Sequence, residues 1–105
     1  MEDILKGIKA LGDETRLKII QLLLSKNYCV GALAKELDIS ESAVSQQLKI
    51  LRKANLVIGE KRGYYVHYTV KTSILQEIGQ YICNLEEKNI KKNCGEINDC
   101  CHKKD

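Results

Sequence analysis

Apolar residues recur at the spacing of an amphipathic helix through the first third of the chain. Over residues 2–11 they follow the i, i+3, i+4, i+7 order, and Gly12 ends this pattern. Asp13 is a suitable N-cap for a second helix, and a short third helix is predicted over residues 30–37. The side chains expected to be buried in the second and third helices are Leu17, Ile20, Leu23, Leu24, Leu33, Ala34 and Leu37.

A turn from Asp38 to Ser40 precedes a fourth helix whose two faces differ in polarity. Either of these two residues can cap the helix. Val44, Leu48 and Leu51 line one face, so the polar side chains between them point outward. Two helices joined by such a short turn, the second with a polar outer face, form the pattern of a helix-turn-helix.

Two strands are predicted after the fourth helix. They cover residues 56–58 and 64–70 and flank the charged loop 59–63. Successive side chains of the second strand point to opposite sides of the sheet. We therefore expect every second residue to face the core and His67 to lie on the outer face. The set expected to face inward is Tyr64, Val66, Tyr68 and Val70. A basic hairpin directly after a helix-turn-helix is called a wing.

A long last helix is predicted over residues 72–90, with an apolar stripe along one side. This stripe and that of the first helix exceed what so small a core needs, so both helices are candidates for a homodimer interface. The predicted fold is mainly α with a small β-hairpin, a winged helix-turn-helix of about five helices and a two-stranded wing. Residues 1–90 form this single domain, and residues 91–105 form a polar, cysteine-containing tail.

The distribution of charge is more informative than its total. The 105-residue chain has a net charge of +3. Residues 49–71 contain six basic side chains and one acidic side chain, whereas the segments before and after are slightly acidic. A basic segment beside a polar helix favours a polyanion as partner, and an α-helix fits the major groove of double-stranded DNA. An ordinary solvated helix face followed by a charged turn would carry the same charges.

The side chains expected to contact DNA lie on the fourth helix and in the wing. The amides of Gln46 and Gln47 can pair with N6 and N7 of adenine, while lysine and arginine supply attraction to phosphates. The complete set of predicted contacts is Ser40, Ser42, Ser45, Gln46, Gln47, Lys49, Arg52, Lys61, Arg62 and Tyr64.

Three of the five cysteines lie in the tail. Because the chain shows neither a signal peptide nor an apolar run long enough to cross a membrane, we expect a cytoplasmic protein with reduced thiols. Cys94, Cys100 and Cys101 can surround a soft ion, and a three-sulfur pyramid suits As(III) better than tetrahedral zinc. Cys29 and His102 are weaker candidate ligands. We expect no obligatory cofactor, only a regulatory soft ion.

Several motifs, in order along the chain, resemble the ArsR/SmtB family of metal-sensing repressors. They are Ala10–Ile20, Cys29–Ala34, Ser40–Leu51 and Gly63–Tyr68, and the resemblance covers about residues 1–85. It implies a homodimer built on the first and last helices that represses a nearby operon. It also implies that operator DNA is released when an inducer binds. Some arsenic-responsive members of the family carry a comparable C-terminal cysteine cluster.

The resemblance also limits the possible metal sites. Cys29 matches the first position of the family's Cys-Val-Cys motif, but Gly31 occupies the partner position. Gln47 stands where the family often has histidine, so the base preference can differ from the usual one. The site on the last helix has no counterpart, because the matching residues are Thr72, Ile74, Leu85 and Lys88.

The sequence is also compatible with other inducers and with other functions. Cadmium, lead or zinc could replace As(III), or Cys29 and Cys83 could make the protein a thiol or persulfide redox sensor. A metal-scavenging interaction domain is the alternative that involves no DNA. The chain has no glycine-rich phosphate loop, no paired catalytic carboxylates and no nucleophile beside a base, so the sequence argues against an enzyme.

Overall fold

The computed structural model describes residues 2–90, which fold into five helices and three short strands. The strands form one antiparallel sheet in the order β1-β3-β2. Helices α3 and α4 form the predicted helix-turn-helix, and strands β2 and β3 form the wing. The elements are α1 (Glu2–Leu11), α2 (Glu14–Ser25), β1 (Tyr28–Cys29), α3 (Val30–Leu37), α4 (Glu41–Lys53), β2 (Val57–Arg62), β3 (Tyr65–Val70) and α5 (Thr72–Ile90).

Capping side chains set the starts of α2 and α4. The backbone N–H of Arg16 donates to Oδ2 of Asp13 at 3.1 Å, and that of Ala43 donates to Oγ of Ser40 at 3.0 Å. Asp38, the other candidate cap for α4, instead ends α3 in the left-handed conformation, with φ of 59°. The turn between the two helices is therefore defined by the left-handed backbone of Asp38 at one end and by the side-chain cap of Ser40 at the other.

The core lies where α2, α3 and α4 pack together against the start of the wing. Its α2 face differs from the predicted one, since Leu17 and Leu24 are 44% and 52% exposed while Ile19 is fully buried. Because α2 contacts both α4 and β3, the buried side of the helix is rotated toward Ile19 and Leu23. The largest fully buried side chains are Ile19, Leu33, Val44, Leu48, Leu51, Leu56 and Val57.

Helices α1 and α5 pack together at a glycine. A Cβ atom added to Gly7 would lie 2.5 Å from Cδ1 of the buried Ile78, so a larger residue at position 7 would require the Ile78 side chain to move. Ile82 and Leu85 continue the stripe of Ile78 along α5, yet each is about half exposed. The apolar stripe of α5 therefore extends beyond the part that α1 covers.

Within the described residues, no helix is both long enough and apolar enough to cross a lipid bilayer.

The strands of the wing are longer, and its turn is tighter, than predicted. Most of the predicted loop 59–63 belongs to β2, which pairs with β3 as far as Arg62 opposite Tyr65. Only Gly63 and Tyr64 remain as the turn, and Gly63 has φ of 65°, a value that glycine adopts without strain.

Strand β1 was not predicted, because its two residues are too few to produce a pattern. Tyr28 lies opposite Tyr68, and Cys29 lies opposite His67. This extra strand covers part of β3, so His67 is half-buried rather than on the outer face, and its Nδ1 has no hydrogen-bond partner among the described residues.

Only half of the inward set predicted for the second strand packs inward. Tyr68 is buried and Val70 packs against the core, as expected. Val66 is 37% exposed and Tyr64 is 97% exposed, because the hairpin extends past the end of the core.

Replacing Leu51 by alanine tests the assignment of the core. Leu51 is fully buried, so we expect Leu51→Ala to lower the free energy of unfolding by about 2–5 kcal/mol. The neighbouring Ile50 is 41% exposed, and Ile50→Ala should cost less than about 1 kcal/mol. Urea unfolding followed by circular dichroism measures both values, and equal losses would contradict the assigned core.

Candidate DNA-binding interface

The outer face of α4 presents polar side chains because its inner face is anchored in the core. Val44, Leu48 and Leu51 are at most 1% exposed, which fixes the rotation of the helix about its axis. A helix of this kind has about the width that the major groove of DNA admits. The predicted contacts that lie exposed on α4 are Ser42, Ser45, Gln46, Lys49 and Arg52.

Ser40 has a structural role in addition to its predicted one. Its Oγ accepts the N–H of Ala43, so the hydroxyl oxygen is committed to the start of α4. The residue is exposed, and the hydroxyl hydrogen remains available to a phosphate oxygen.

Gln47 differs from the other predicted contacts on α4. It is half-buried, and its Oε1 accepts a hydrogen bond from Nη1 of Arg16 at 2.8 Å. The same arginine donates from Nε to the carbonyl oxygen of Ala10 at 2.7 Å. Arg16 was not predicted as a site residue, because its partners lie 6 and 31 positions away and leave no local pattern.

The wing carries its predicted basic and aromatic residues on exposed positions. Lys61 and Arg62 lie in β2, and Tyr64 lies at the tip of the hairpin. Nη2 of Arg62 is 3.2 Å from Oε1 of Glu60, and both side chains are more than half exposed. An ion pair this exposed contributes little, so a phosphate can replace the carboxylate at small cost.

A basic cleft lies between α1 and the end of α4, with Arg16 of α2 also lining it. It has a volume of about 330 Å³ and an apolar floor, and no acidic side chain lines it. The sequence did not predict this cleft, because its lysines come from helices far apart in the chain. Its basic residues are Lys6, Lys9, Arg16 and Lys53, and its floor consists of Ala10, Ile50 and Ala54.

The described cysteines do not form a metal site with their neighbours. Cys29 is free and half-buried, opposite His67 on the sheet, and His67 lies opposite Glu60. Among the described side chains, no group of three or more histidine, cysteine or acidic residues could hold a metal ion. Cys83 is disulfide-bonded while Cys29 is not, so these two are not bonded to each other. The candidate ligands Cys94, Cys100, Cys101 and His102 lie outside the described residues.

Comparison with known proteins places this geometry in a family. Residues 13–58 match the family model described as bacterial regulatory protein, arsR family. The transcriptional repressor SdpR of Bacillus subtilis is 31% identical over 80 residues, which are 76% of this chain and 89% of SdpR. The arsenical resistance operon repressor of Escherichia coli is 43% identical over 68 residues, or 63% of this chain and 57% of that protein.

Solved structures agree with this match. Reduced HlyU from Vibrio cholerae superposes with a TM-score of 0.66 at 35% identity, covering 75% of this chain and 84% of HlyU. A possible transcriptional regulator for arsenical resistance has a TM-score of 0.71 at 26% identity, covering 87% and 98% of the two chains. The chain therefore belongs to the ArsR family of bacterial winged helix-turn-helix proteins, which are DNA-binding transcriptional regulators and not enzymes.

Proposed function

We propose that this protein is a repressor that binds operator DNA as a homodimer and releases it when a thiophilic inducer binds. The observation that carries the proposal is the exposed polar face of α4, held in place by a buried apolar face and flanked by basic side chains. Ser42, Ser45 and Gln46 would contact base edges, while Lys49 and Arg52 would contact phosphates. In the wing, Lys61, Arg62 and Tyr64 would contact the adjacent groove or backbone.

A second copy of the chain would cover the exposed apolar residues of α1 and α5. Leu5, Ile82 and Leu85 are 45–51% exposed, which is unfavourable for large aliphatic side chains on a monomer. Pairing these helices with those of a partner would bury the residues and place two α4 helices side by side. Two half-sites one helical turn apart would then match the dimer.

The inducer proposed is As(III), bound by the thiolates of Cys94, Cys100 and Cys101. This proposal is supported by the three clustered cysteines and by a relative that is named for arsenical resistance. Thiolates prefer soft ions, so cadmium, lead and zinc are the competing ligands. Coordination in the tail would shift or clamp α5 and so change the spacing of the two α4 helices.

A thiol or persulfide redox sensor is the second candidate, and a different observation favours it. Cys83, within the dimerisation helix α5, is disulfide-bonded. The HlyU relative is also known in a form described as reduced. Oxidation of Cys83 and a partner thiol to a disulfide, with a polysulfide as the two-electron oxidant that is reduced to sulfide, would then replace metal coordination as the event that alters α5.

Neutralising the basic residues of α4 tests the DNA contact. Abolishing two phosphate contacts with the Lys49→Gln/Arg52→Gln variant should weaken binding to specific and non-specific DNA alike. The slope of log K against log salt concentration should fall by about 0.9 for each phosphate that is no longer neutralised. The control is Lys18→Gln on α2, where the lysine is paired with Glu14. Fluorescence anisotropy over a salt series measures both, and an unchanged slope in the double variant would place the DNA elsewhere.

A charge on the apolar stripe of α5 tests the dimer. Ile82→Glu should convert the dimer to a monomer in analytical ultracentrifugation, because an unpaired carboxylate cannot be buried cheaply. The variant should also lose most of its affinity for a two-half-site operator. Gln76→Glu adds the same charge to the same helix at an exposed position and should leave the dimer intact. A dimeric Ile82→Glu variant would rule out this interface.

The tail proposal is tested by titrating As(III) into the protein–DNA complex under reducing conditions. Wild type should lose affinity about 5–150-fold, the usual range of allosteric coupling. The Cys94→Ser/Cys100→Ser/Cys101→Ser variant should bind DNA normally and ignore As(III), whereas Cys29→Ser should respond as wild type does. Release by a polysulfide in buffer without reductant, if it depends on Cys83 and is accompanied by no response to As(III), would favour the redox sensor instead.

A further inference from the structure

Two hydrogen bonds position Arg16 beside the end of α1 and the start of α2. Its backbone N–H is bonded to the N-cap Asp13, and its Nε donates to the carbonyl of Ala10, the penultimate residue of α1. These two bonds leave Nη1 to cross from α2 to α4, where it donates to Gln47. The guanidinium therefore links the end of α1, the start of α2 and α4.

The chemistry of the guanidinium determines which way the amide of Gln47 points. Arginine has donors only, so the amide atom facing Nη1 must be the oxygen Oε1. The amino group of Gln47 is then the part of the amide that remains for another partner. Gln46, the adjacent residue, is exposed and makes no side-chain hydrogen bond to any other described residue, so both ends of its amide remain available.

Adenine and guanine differ in the hydrogen-bonding groups that they present to a glutamine side chain. Adenine presents an acceptor at N7 and a donor at N6, so a bidentate contact needs both the oxygen and the amino group of the amide. Guanine presents two acceptors, N7 and O6, and needs only donors. For Gln47 to pair with adenine in this way, its oxygen must leave a charge-assisted bond, which is stronger than a neutral one.

We propose that Arg16 makes Gln47 a donor-only contact, so that the base facing Gln47 in the operator is guanine rather than adenine. This inference rests on the proposed binding of operator DNA by α4. It replaces the sequence-based expectation that Gln46 and Gln47 both pair with adenine, and keeps that expectation for Gln46 alone. Arg16 acts here as a positioning residue, setting base preference through the orientation of another side chain.

The test begins with the selection of binding sites from a random DNA library by the full chain. Gln47→Ala and Gln46→Ala each remove discrimination at one base pair and so assign the two positions. Wild type should prefer guanine to adenine about tenfold at the position of Gln47, as measured by anisotropy with substituted operators. In Arg16→Ala guanine and adenine should be bound about equally, or adenine should be preferred, because the amide of Gln47 can then rotate. The preference at the position of Gln46 should not change, which makes it an internal control.

A second variant keeps the test decisive if Arg16→Ala does not fold. Gln47→Glu retains an oxygen for Arg16 but has no amino group, so it should fold and lose the preference for guanine. Retention of that preference in Gln47→Glu would overturn the proposal, as would adenine at this position in the wild-type operator.

Further results distinguish a failure of the proposed role of Arg16 from a failure of the proposed repressor function. An Arg16→Ala variant that still prefers guanine would overturn the role of Arg16. Arg16→Ala could instead bind more weakly to operators with any of the four bases at this position, with the slope of log K against log salt concentration smaller by about one. That result would show that Arg16 contacts a phosphate directly, and it would overturn the proposed role of Arg16. If wild type selected no sequence at any salt concentration, the proposed repressor function itself would fail, and the inference with it.

Discussion

The packing of one face of α4 is the constraint on which the rest of the molecule depends. Val44, Leu48 and Leu51 are buried almost completely, and each such side chain contributes about 1.5–3 kcal/mol through removal from water. Because side chains on a helix have fixed angular positions, burial of these three determines which others face outward. The exposed polar strip of α4 is thus a direct consequence of the core, and the chemistry offered to DNA is only as well ordered as that packing.

The contacts around α1 connect the candidate dimer surface with α4. Gly7 allows α1 to approach Ile78 of α5 closely, and the carbonyl of Ala10 near the end of α1 holds Arg16. Arg16 in turn holds Gln47. An event that altered the packing of α5, by metal coordination or by thiol chemistry, would therefore act on α1, which is linked through Arg16 to Gln47 of α4, the helix proposed to contact DNA. Because residues 2–90 contain no separate sensing domain, a change at α5 must reach α4 through direct contacts between the helices.

Features that depend on neighbouring residues were predicted more accurately than features that depend on distant ones. The helices, the Asp13 cap and the polar face of α4 were predicted correctly, because residues up to four positions apart determine them. The wing was predicted in the right place but with strands too short. Charged residues such as Lys61 suggested a loop, whereas pairing with β3 extends the strand through them. The buried side of α2 was misplaced, because it depends on contacts with both α4 and β3.

The sequence by itself determined the family and the order of all the elements except β1. It also determined which side chains α4 turns outward, because helical periodicity and capping are properties of neighbouring residues. Only the tertiary structure decided how those side chains are presented. It added β1 beside His67, assembled the basic cleft from three helices, and turned the amide oxygen of Gln47 toward Arg16, 31 positions away. These features depend on groups brought together by packing, and a hydrogen bond between distant residues has no periodicity that the chain could display.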